Sequence, residues 1–321
     1  MIYIAYFVVA ALVIIFSIKA ANYIDLLDKN TKLSGAFLGG IMLSAVTSLP
    51  ELFTSISATV LLREPGLCIG NILGSDLFNL MAISVAILFY FKQFSKGRVS
   101  KSYRTVTLMV LSIYGIIALS VFGILQAEIF HIKITSIIIV ILYCVGAKYL
   151  AIVEDVETDE DVLNYHAKVT SKLMVKQIGI RFSIVSLGIV VFSILLTYLT
   201  DQIADTLKLN QGWAGAILLG IATSLPEVTS TITLFRMKNY NIAVGNIIGS
   251  NLFNFIILAI ADFAAISYGV YILPDVSALA LLICGTISTI MFWIMLKYKN
   301  MTTQIVCCGT IICSYIVFLA V

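Results

Sequence analysis

Ten apolar runs in this chain are long enough to cross a bilayer, and two of them carry the same five-residue stretch letter for letter. The runs lie near 2–24, 33–62, 67–91, 104–125, 130–150, 174–199, 209–236, 241–267, 274–296 and 302–320. About 20 apolar residues cross hydrocarbon as a helix, because lipid offers no partner to a free backbone group. With 60% of its 321 residues hydrophobic and 12% charged, the chain does not have the composition of a soluble domain. The expectation is an all-α polytopic membrane protein with ten transmembrane helices.

Charge orients these spans. If the N-terminus faces out, 17 of the 20 Lys and Arg residues fall in inner loops, and only Arg63, Lys133 and Lys208 fall outside. Positive residues concentrate on the inner side of a membrane, so the expected topology is N-out and C-out. The apolar start, Met1-Ile-Tyr-Ile, has no basic segment before it and reads as a permanent span rather than a cleaved leader.

The repeated stretch is Thr47-Ser-Leu-Pro-Glu51, which returns as Thr223-Ser-Leu-Pro-Glu227, 176 residues later. A second motif follows each copy. Gly70-Asn-Ile-Leu-Gly-Ser-Asp-Leu-Phe-Asn79 returns as Gly245-Asn-Ile-Ile-Gly-Ser-Asn-Leu-Phe-Asn254, 175 residues later. Five spans separate the copies, and five is odd, so the copies cross the membrane in opposite directions. The expected organisation is a first five-helix repeat over 1–150, an acidic cytoplasmic linker over 151–173, and a second, inverted five-helix repeat over 174–321. Inverted repeats with broken, polar helices at their interface are a pattern of secondary transporters.

The chemistry of the repeated residues suits a cation. A carboxylate inside a span is costly and normally faces a protein or water-filled interior. Glu51 and Glu227 supply two charges and hard oxygens, which Ca²⁺ favours. Pro50 and Pro226 lack an N–H, so the carbonyls of Val46 and Ala222 lose their helical donor. Thr47, Ser48, Thr223 and Ser224 place hydroxyl or carbonyl oxygens within a turn of each glutamate. Asn79 and Asn254 add amide oxygens, and Ser75 and Ser250 lie four residues before them on the same helical face. Such polar side chains also tie helices together in membranes. Asp76 is an acid where its counterpart is Asn251. It reads either as a third charge facing the cavity or as a neutral, hydrogen-bonded group at a helix interface.

Other features carry less. The six cysteines and the histidines His131 and His166 show no metal-ligand spacing. Glu154-Asp-Val-Glu-Thr-Asp-Glu-Asp161 reads as a solvated acidic linker, with a weak Ca²⁺ sensor as the alternative. Asp262, about 16 Å beyond Asn251 along a helix, is expected near the outer surface, at an ion entrance or a helix end. Pro274-Asp275 reads as a helix start. An intramembrane protease would pair two acids, but nothing supplies a peptide groove. A cation channel could be lined by the same oxygens.

The paired S-L-P-E and G-N-x-x-G-S-[ND]-x-x-N motifs resemble the alpha repeats of the cation/calcium exchanger superfamily. The resemblance covers nearly the whole chain. It implies a secondary active antiporter, not an enzyme, that exchanges Ca²⁺ for Na⁺ by alternating access, with H⁺ as the alternative counter-ion. The core is implied to be spans 2, 3, 7 and 8, with spans 1 and 6 as a sliding gate. Glu51 and Glu227 become central Ca²⁺ ligands, with the Thr47 and Thr223 carbonyls beside them. Ser48, Ser224, Ser75 and Ser250 line flanking Na⁺ sites, and Asn79 and Asn254 complete the middle. Val46 and Ala222 depart from the usual glycine. The partners implied are the bilayer and inorganic cations, with no cofactor and no nucleic acid; the oligomeric state is left open, a monomer being sufficient for transport. The compact loops and the lack of organelle-type targeting point to a microbial plasma (inner) membrane.

Overall fold

The computed structural model describes residues 2–31, 33–63, 65–129, 132–151, 174–207, 220–265, 269–271, 276–298 and 300–321. The acidic stretch Glu154–Asp161, both histidines, Pro274-Asp275, and the first part of the seventh apolar run with Lys208 all lie outside them. Among the described residues, nine helices are long and apolar enough to cross a membrane. The protein is an all-helical, polytopic membrane protein.

Helix α1 (Ile2–Asn30) comes first. The second apolar run is not one regular helix. It consists of α2 (Gly35–Phe37), a wide π-helical segment at Leu38–Leu43, α3 (Ser44–Thr47), α4 (Leu49–Ile56) and a second wide segment at Ser57–Leu62. The first half continues with α5 (Pro65–Phe89), α6 (Phe91–Phe94), α7 (Ser102–Val121) and α8 (Ile134–Ala151). Between α7 and α8, the two-residue strands β1 (Glu128–Ile129) and β2 (Ile132–Lys133) pair antiparallel, with Glu128 opposite Lys133. This ribbon is the one departure from all-α structure among the described residues, and it delays the fifth span to Ile134. The second half has α9 (Val175–Leu207), α10 (Gly220–Thr223), α11 (Leu225–Arg236), α12 (Tyr240–Ala264), α13 (Val276–Lys297) and α14 (Met301–Leu319).

Both proline motifs break their spans at the same place. Ser48 (φ −91°, ψ 5°) and Ser224 (φ −84°, ψ 2°) leave the helical region, and the proline then stands in the first turn of α4 or α11. A proline fits there because a first-turn N–H has no helical acceptor. The halves agree even in their turns. Arg63 (φ 60°) and Lys238 (φ 62°), 175 residues apart, are the only described non-glycine residues with a left-handed backbone.

The most enclosed spans are α12 and α5, with 72% and 67% of their apolar window buried, against 28% for α1 and α8. Large apolar side chains on the outer helices, such as Phe7, Ile184 and Leu187, stay exposed, as lipid-facing residues would. Val9 and Val13 of α1, Leu196 and Leu199 of α9, and Ala222 of α10 form a separate apolar cluster. Ala222 of the second repeat thus packs against both outer helices. On α1, Asp25 is a buried acid that the motifs do not point to. It pairs with Lys29 at 2.6 Å and accepts from Asn239 Nδ2 at 3.1 Å, which ties the end of α1 to the α11–α12 turn.

Backbones meet where α12 crosses the wide segment at 38–43. A Cβ on Gly39 would lie 2.4 Å from the Ile242 carbonyl oxygen, and a Cβ on Gly249 would lie 2.1 Å from that of Gly40. Neither carbonyl can retreat like a flexible side chain. Gly249→Ala is therefore expected to destabilise the protein by about 1–3 kcal/mol, read as a lowered thermal unfolding midpoint in detergent. Gly115→Ala, whose Cβ meets nothing within 4 Å, should leave that midpoint unchanged or slightly raised.

Candidate functional site

The two motifs of each repeat converge at the centre of the molecule. Thr47, Ser48, Glu51, Ser75, Asp76 and Asn79 of the first half are fully buried, as are Thr223, Ser224, Glu227, Ser250 and Asn254 of the second. Asn251 is 2% exposed. All eleven residues expected from the sequence thus lie inside the helical core, on α3, α4, α5, α10, α11, α12 and the breaks between them.

The contacts cross between halves. Sequence proximity puts Ser48 beside Glu51, but its hydroxyl donates to Glu227 Oε1 at 2.8 Å. The counterpart holds as well, with Ser224 Oγ donating to Glu51 Oε1 at 3.2 Å. The helix break at each serine turns its hydroxyl away from its own helix and toward the facing carboxylate. Each glutamate therefore receives a serine donor from the opposite repeat. The second oxygen of each, Glu51 Oε2 and Glu227 Oε2, is buried without a hydrogen-bond partner.

Two asparagines join this arrangement that the sequence reading passes over. Asn246 Nδ2 donates to the Glu227 carbonyl at 3.2 Å and to Thr231 Oγ1 at 3.1 Å, and its Oδ1 lies 3.4 Å from Thr47 Oγ1. Asn71 repeats the pattern, with Nδ2 donating to Ser55 Oγ at 3.2 Å and Oδ1 lying 3.4 Å from Thr223 Oγ1. The signal was available: each is the second letter of the repeated decamer, as invariant between halves as Asn79 and Asn254. The two threonines are thereby held by facing amides, with Thr47 Oγ1 also 3.1 Å from the Leu43 carbonyl oxygen.

A further layer surrounds Asn79 and Asn254. Asn79 Nδ2 donates to Asn251 Oδ1 at 3.1 Å, and Asn254 Nδ2 donates to Asp76 Oδ1 at 2.8 Å. Their own oxygens, Asn79 Oδ1 and Asn254 Oδ1, are buried and unpartnered, as is Ser250 Oγ. Ser75 differs from its counterpart Ser250, since its Oγ reaches the Gly220 carbonyl oxygen at 3.4 Å. Leaving a buried polar atom without a partner costs about 1–3 kcal/mol, more for a charged one. Here two carboxylate oxygens, two amide oxygens and a hydroxyl, all hard donors suited to a cation, share that condition within one cluster of helices. No group of three His, Cys, Asp or Glu side chains at metal-holding range occurs among the described residues, so amides and hydroxyls would have to supplement the two glutamates.

Asp262 lies apart from this centre. It sits at the end of α12, 6% exposed, and accepts from Ser136 Oγ at 2.6 Å, which also lies 2.6 Å from the Tyr271 hydroxyl. It sits at a helix end, one of the two placements expected for it.

The sequence matches the family described as sodium/calcium exchanger protein over residues 2–152 and 179–321. An uncharacterized membrane protein of Methanocaldococcus jannaschii is 24% identical over 227 residues, covering 70% of this chain and 68% of that one. The inner membrane protein YrbG of Escherichia coli is 24% identical over 225 residues, covering 69% of this chain and 66% of that one. Among solved structures, the sodium-calcium exchanger NCX_Mj soaked with 10 mM Na⁺ and zero Ca²⁺ matches with a TM-score of 0.72 at 20% identity, over 100% of this chain and 99% of that chain. The same exchanger soaked with 2.5 mM Na⁺ and 0.1 mM Ca²⁺ matches with a TM-score of 0.70 at 20% identity, over 99% and 97%. At that identity the likeness is one of fold.

Asn71 and Asn246 hold the cluster from behind, and each satisfies several buried groups at once. Asn246→Leu would remove the amide that Thr47 Oγ1 and Thr231 Oγ1 share, and Asn71→Leu the one that Thr223 Oγ1 and Ser55 Oγ share. Each substitution is expected to destabilise the protein by about 1–3 kcal/mol, measured as a lowered unfolding midpoint of the purified protein. An unchanged midpoint in both would show that these amides carry no structural load.

Proposed function

The chain belongs to the sodium/calcium exchanger protein family, and from that premise we propose that it is a secondary active antiporter exchanging Ca²⁺ for Na⁺ by alternating access. The family is one of cation transporters and not of enzymes. The observation that carries the finer reading is the pair Glu51 and Glu227, each bound at one oxygen by a serine of the other repeat and open at the second. That is what a dicarboxylate cation cage needs, since each carboxylate is oriented by the protein yet keeps an oxygen for the ion.

Glu51 and Glu227 serve as the central Ca²⁺ ligands. Asn79 and Asn254 complete the middle through their amide oxygens, and the Thr47 and Thr223 carbonyls lie beside it. Ser48, Ser224, Ser75 and Ser250 line flanking Na⁺ positions. Two carboxylates offset the charge of one divalent ion or of a set of monovalent ones, but they do not hold both loads together, so the ions compete. A loaded cage is close to neutral and can pass between inward- and outward-open states. An empty one keeps two uncompensated charges in a low-dielectric centre, which opposes an unloaded return. Two inverted five-helix repeats around this cage, with the N- and C-termini outside, give the two access states similar architecture. The microbial plasma membrane fits the inner membrane relative. One copy of the chain holds every ligand in this scheme.

Proteoliposomes test this reading. ⁴⁵Ca²⁺ uptake should require an outward Na⁺ gradient and collapse when internal Na⁺ is replaced by K⁺. Uptake driven only by a proton gradient would identify H⁺ as the counter-ion, and uptake with no gradient would identify a channel. Glu51→Gln and Glu227→Gln should each reduce Ca²⁺ uptake to the level of protein-free vesicles while the purified variants stay folded. Robust exchange in either would remove the glutamates from the site.

A further inference from the structure

Asp76 is the one acid among the clustered residues whose two oxygens both have partners. Its Oδ1 accepts from Asn254 Nδ2 at 2.8 Å, and its Oδ2 lies 3.5 Å from the Tyr114 hydroxyl, which donates to it. Tyr114 is fully buried on α7, outside the four spans that carry the repeated motifs. Its ring meets Phe255 edge-on at 5.1 Å. Its hydroxyl passes over Gly285 of α13, where a Cβ would lie 2.5 Å from the oxygen.

The contact to Asn254 has a counterpart. Asp76 and Asn251 correspond at the 175-residue offset, and so do Asn79 and Asn254. Asp76 accepts from Asn254, and Asn251 accepts from Asn79 through Oδ1. In each case an oxygen of one repeat captures the amide NH₂ of the other. A side-chain amide with its nitrogen captured turns its oxygen the opposite way, and both of those oxygens are buried and unpartnered. Tyr114 has no such counterpart. The residue 175 positions on is Thr289, whose hydroxyl donates to Gly285 O of its own helix at 2.8 Å. The extra donor occurs only in the half that carries the acid. Asn251 needs none, because its own Nδ2 donates to the Asp76 carbonyl at 3.2 Å.

We infer that Asp76 is a positioning residue rather than a third ion ligand: held by Tyr114, it fixes the Asn254 amide so that Oδ1 faces the transported cation. The inference rests on the reading of Asn254 as a cage ligand. A captive amide oxygen binds a cation better than one free to flip, because the ion then does not have to order it.

The test compares apparent Ca²⁺ affinity and maximal rate of ⁴⁵Ca²⁺ uptake in proteoliposomes for wild type, Asp76→Asn, Asp76→Ala, Tyr114→Phe and Glu51→Gln. Asp76→Ala removes the acceptor and should weaken apparent affinity about tenfold or more, with a smaller fall in maximal rate. Asp76→Asn keeps an acceptor oxygen but can also present its NH₂, so it should restore most of that loss and remain about two- to fivefold below wild type. Tyr114→Phe should weaken affinity by a similar few-fold, and by less in the Asp76→Asn background than alone. Equal impairment of Asp76→Asn and Asp76→Ala would overturn the inference in favour of a charge that binds the ion directly. Wild-type affinity in Asp76→Ala would overturn it in favour of no role. If Asp76→Ala does not fold, Tyr114→Phe and Asp76→Asn decide: the cycle must be non-additive, and strict additivity sinks the idea. Glu51→Gln separates the two readings. Uptake intact in that variant means the cage itself is wrong, whereas uptake lost there but unaffected by Asp76→Ala means only this inference is wrong.

Discussion

Two carboxylates at the centre of a hydrocarbon-spanning protein set the terms for everything around them. Neither Glu51 nor Glu227 has an arginine or lysine partner among the described contacts. Each is met instead by neutral hydroxyls of the opposite repeat, Ser224 and Thr223 at Glu51 and Ser48 and Thr47 at Glu227. A neutral hydroxyl offsets only part of the desolvation of a carboxylate, so the site is left wanting positive charge. A stabilising counter-charge built into the protein would make the centre comfortable when empty. Among the described residues none supplies one, so on the proposed reading the ion is the counter-charge and the energy of the centre depends on its presence.

Holding two such groups face to face requires the helices that carry them to come closer than ordinary side chains allow. The chain meets this with backbone contact rather than with larger polar residues. Gly39 and Gly40 lie in a wide helical turn, and α12 passes over them at Gly249. The proline breaks act in the same direction. They end one helix at Ser48 or Ser224 and start another, so that the serine projects across the interface instead of along its own helix. Asn71 and Asn246 then fasten the threonines of the facing repeat. The serine-to-glutamate and threonine-to-asparagine contacts run in both directions between the repeats, so each half finds its partners on the other.

Much of this was legible in the sequence, and the parts that were not have identifiable reasons. The spans follow from apolar length, and the cluster of site residues follows from the repeated letters, because a costly intramembrane polar residue is seldom repeated by accident. Which serine serves which glutamate was not legible. Ser48 stands three residues before Glu51, so helical spacing pairs them, and only the break at Ser48 turns the hydroxyl toward Glu227. The wide turns at 38–43 and 57–62 share no local code, since paired glycines occur only in the first. Asn71 and Asn246 are letters of the repeated decamer, but an asparagine in a span is often only a tie between helices. They are such ties, and they tie the site. Asp25 was missed because nothing repeats it in a motif.

The halves are most instructive where they disagree. A twofold frame tolerates an Asp opposite an Asn only where the two do the same job, and capturing an amide NH₂ is such a job, since both offer an oxygen of the same size at the same reach. A direct ion ligand would be a different matter. A charge there changes which ion is held, so a mismatch would alter the balance between the loads. Asp76 and Asn251 each accept from an asparagine of the facing repeat, the contact that on our inference aims the amides. The one hydroxyl that meets the extra acid comes from α7, a helix outside the repeated motifs. On the proposed reading, the residues common to both repeats hold the cation. The asymmetric pair, on that reading, differs where a donor from the periphery meets the extra acid and leaves the same amide oxygens facing the ion.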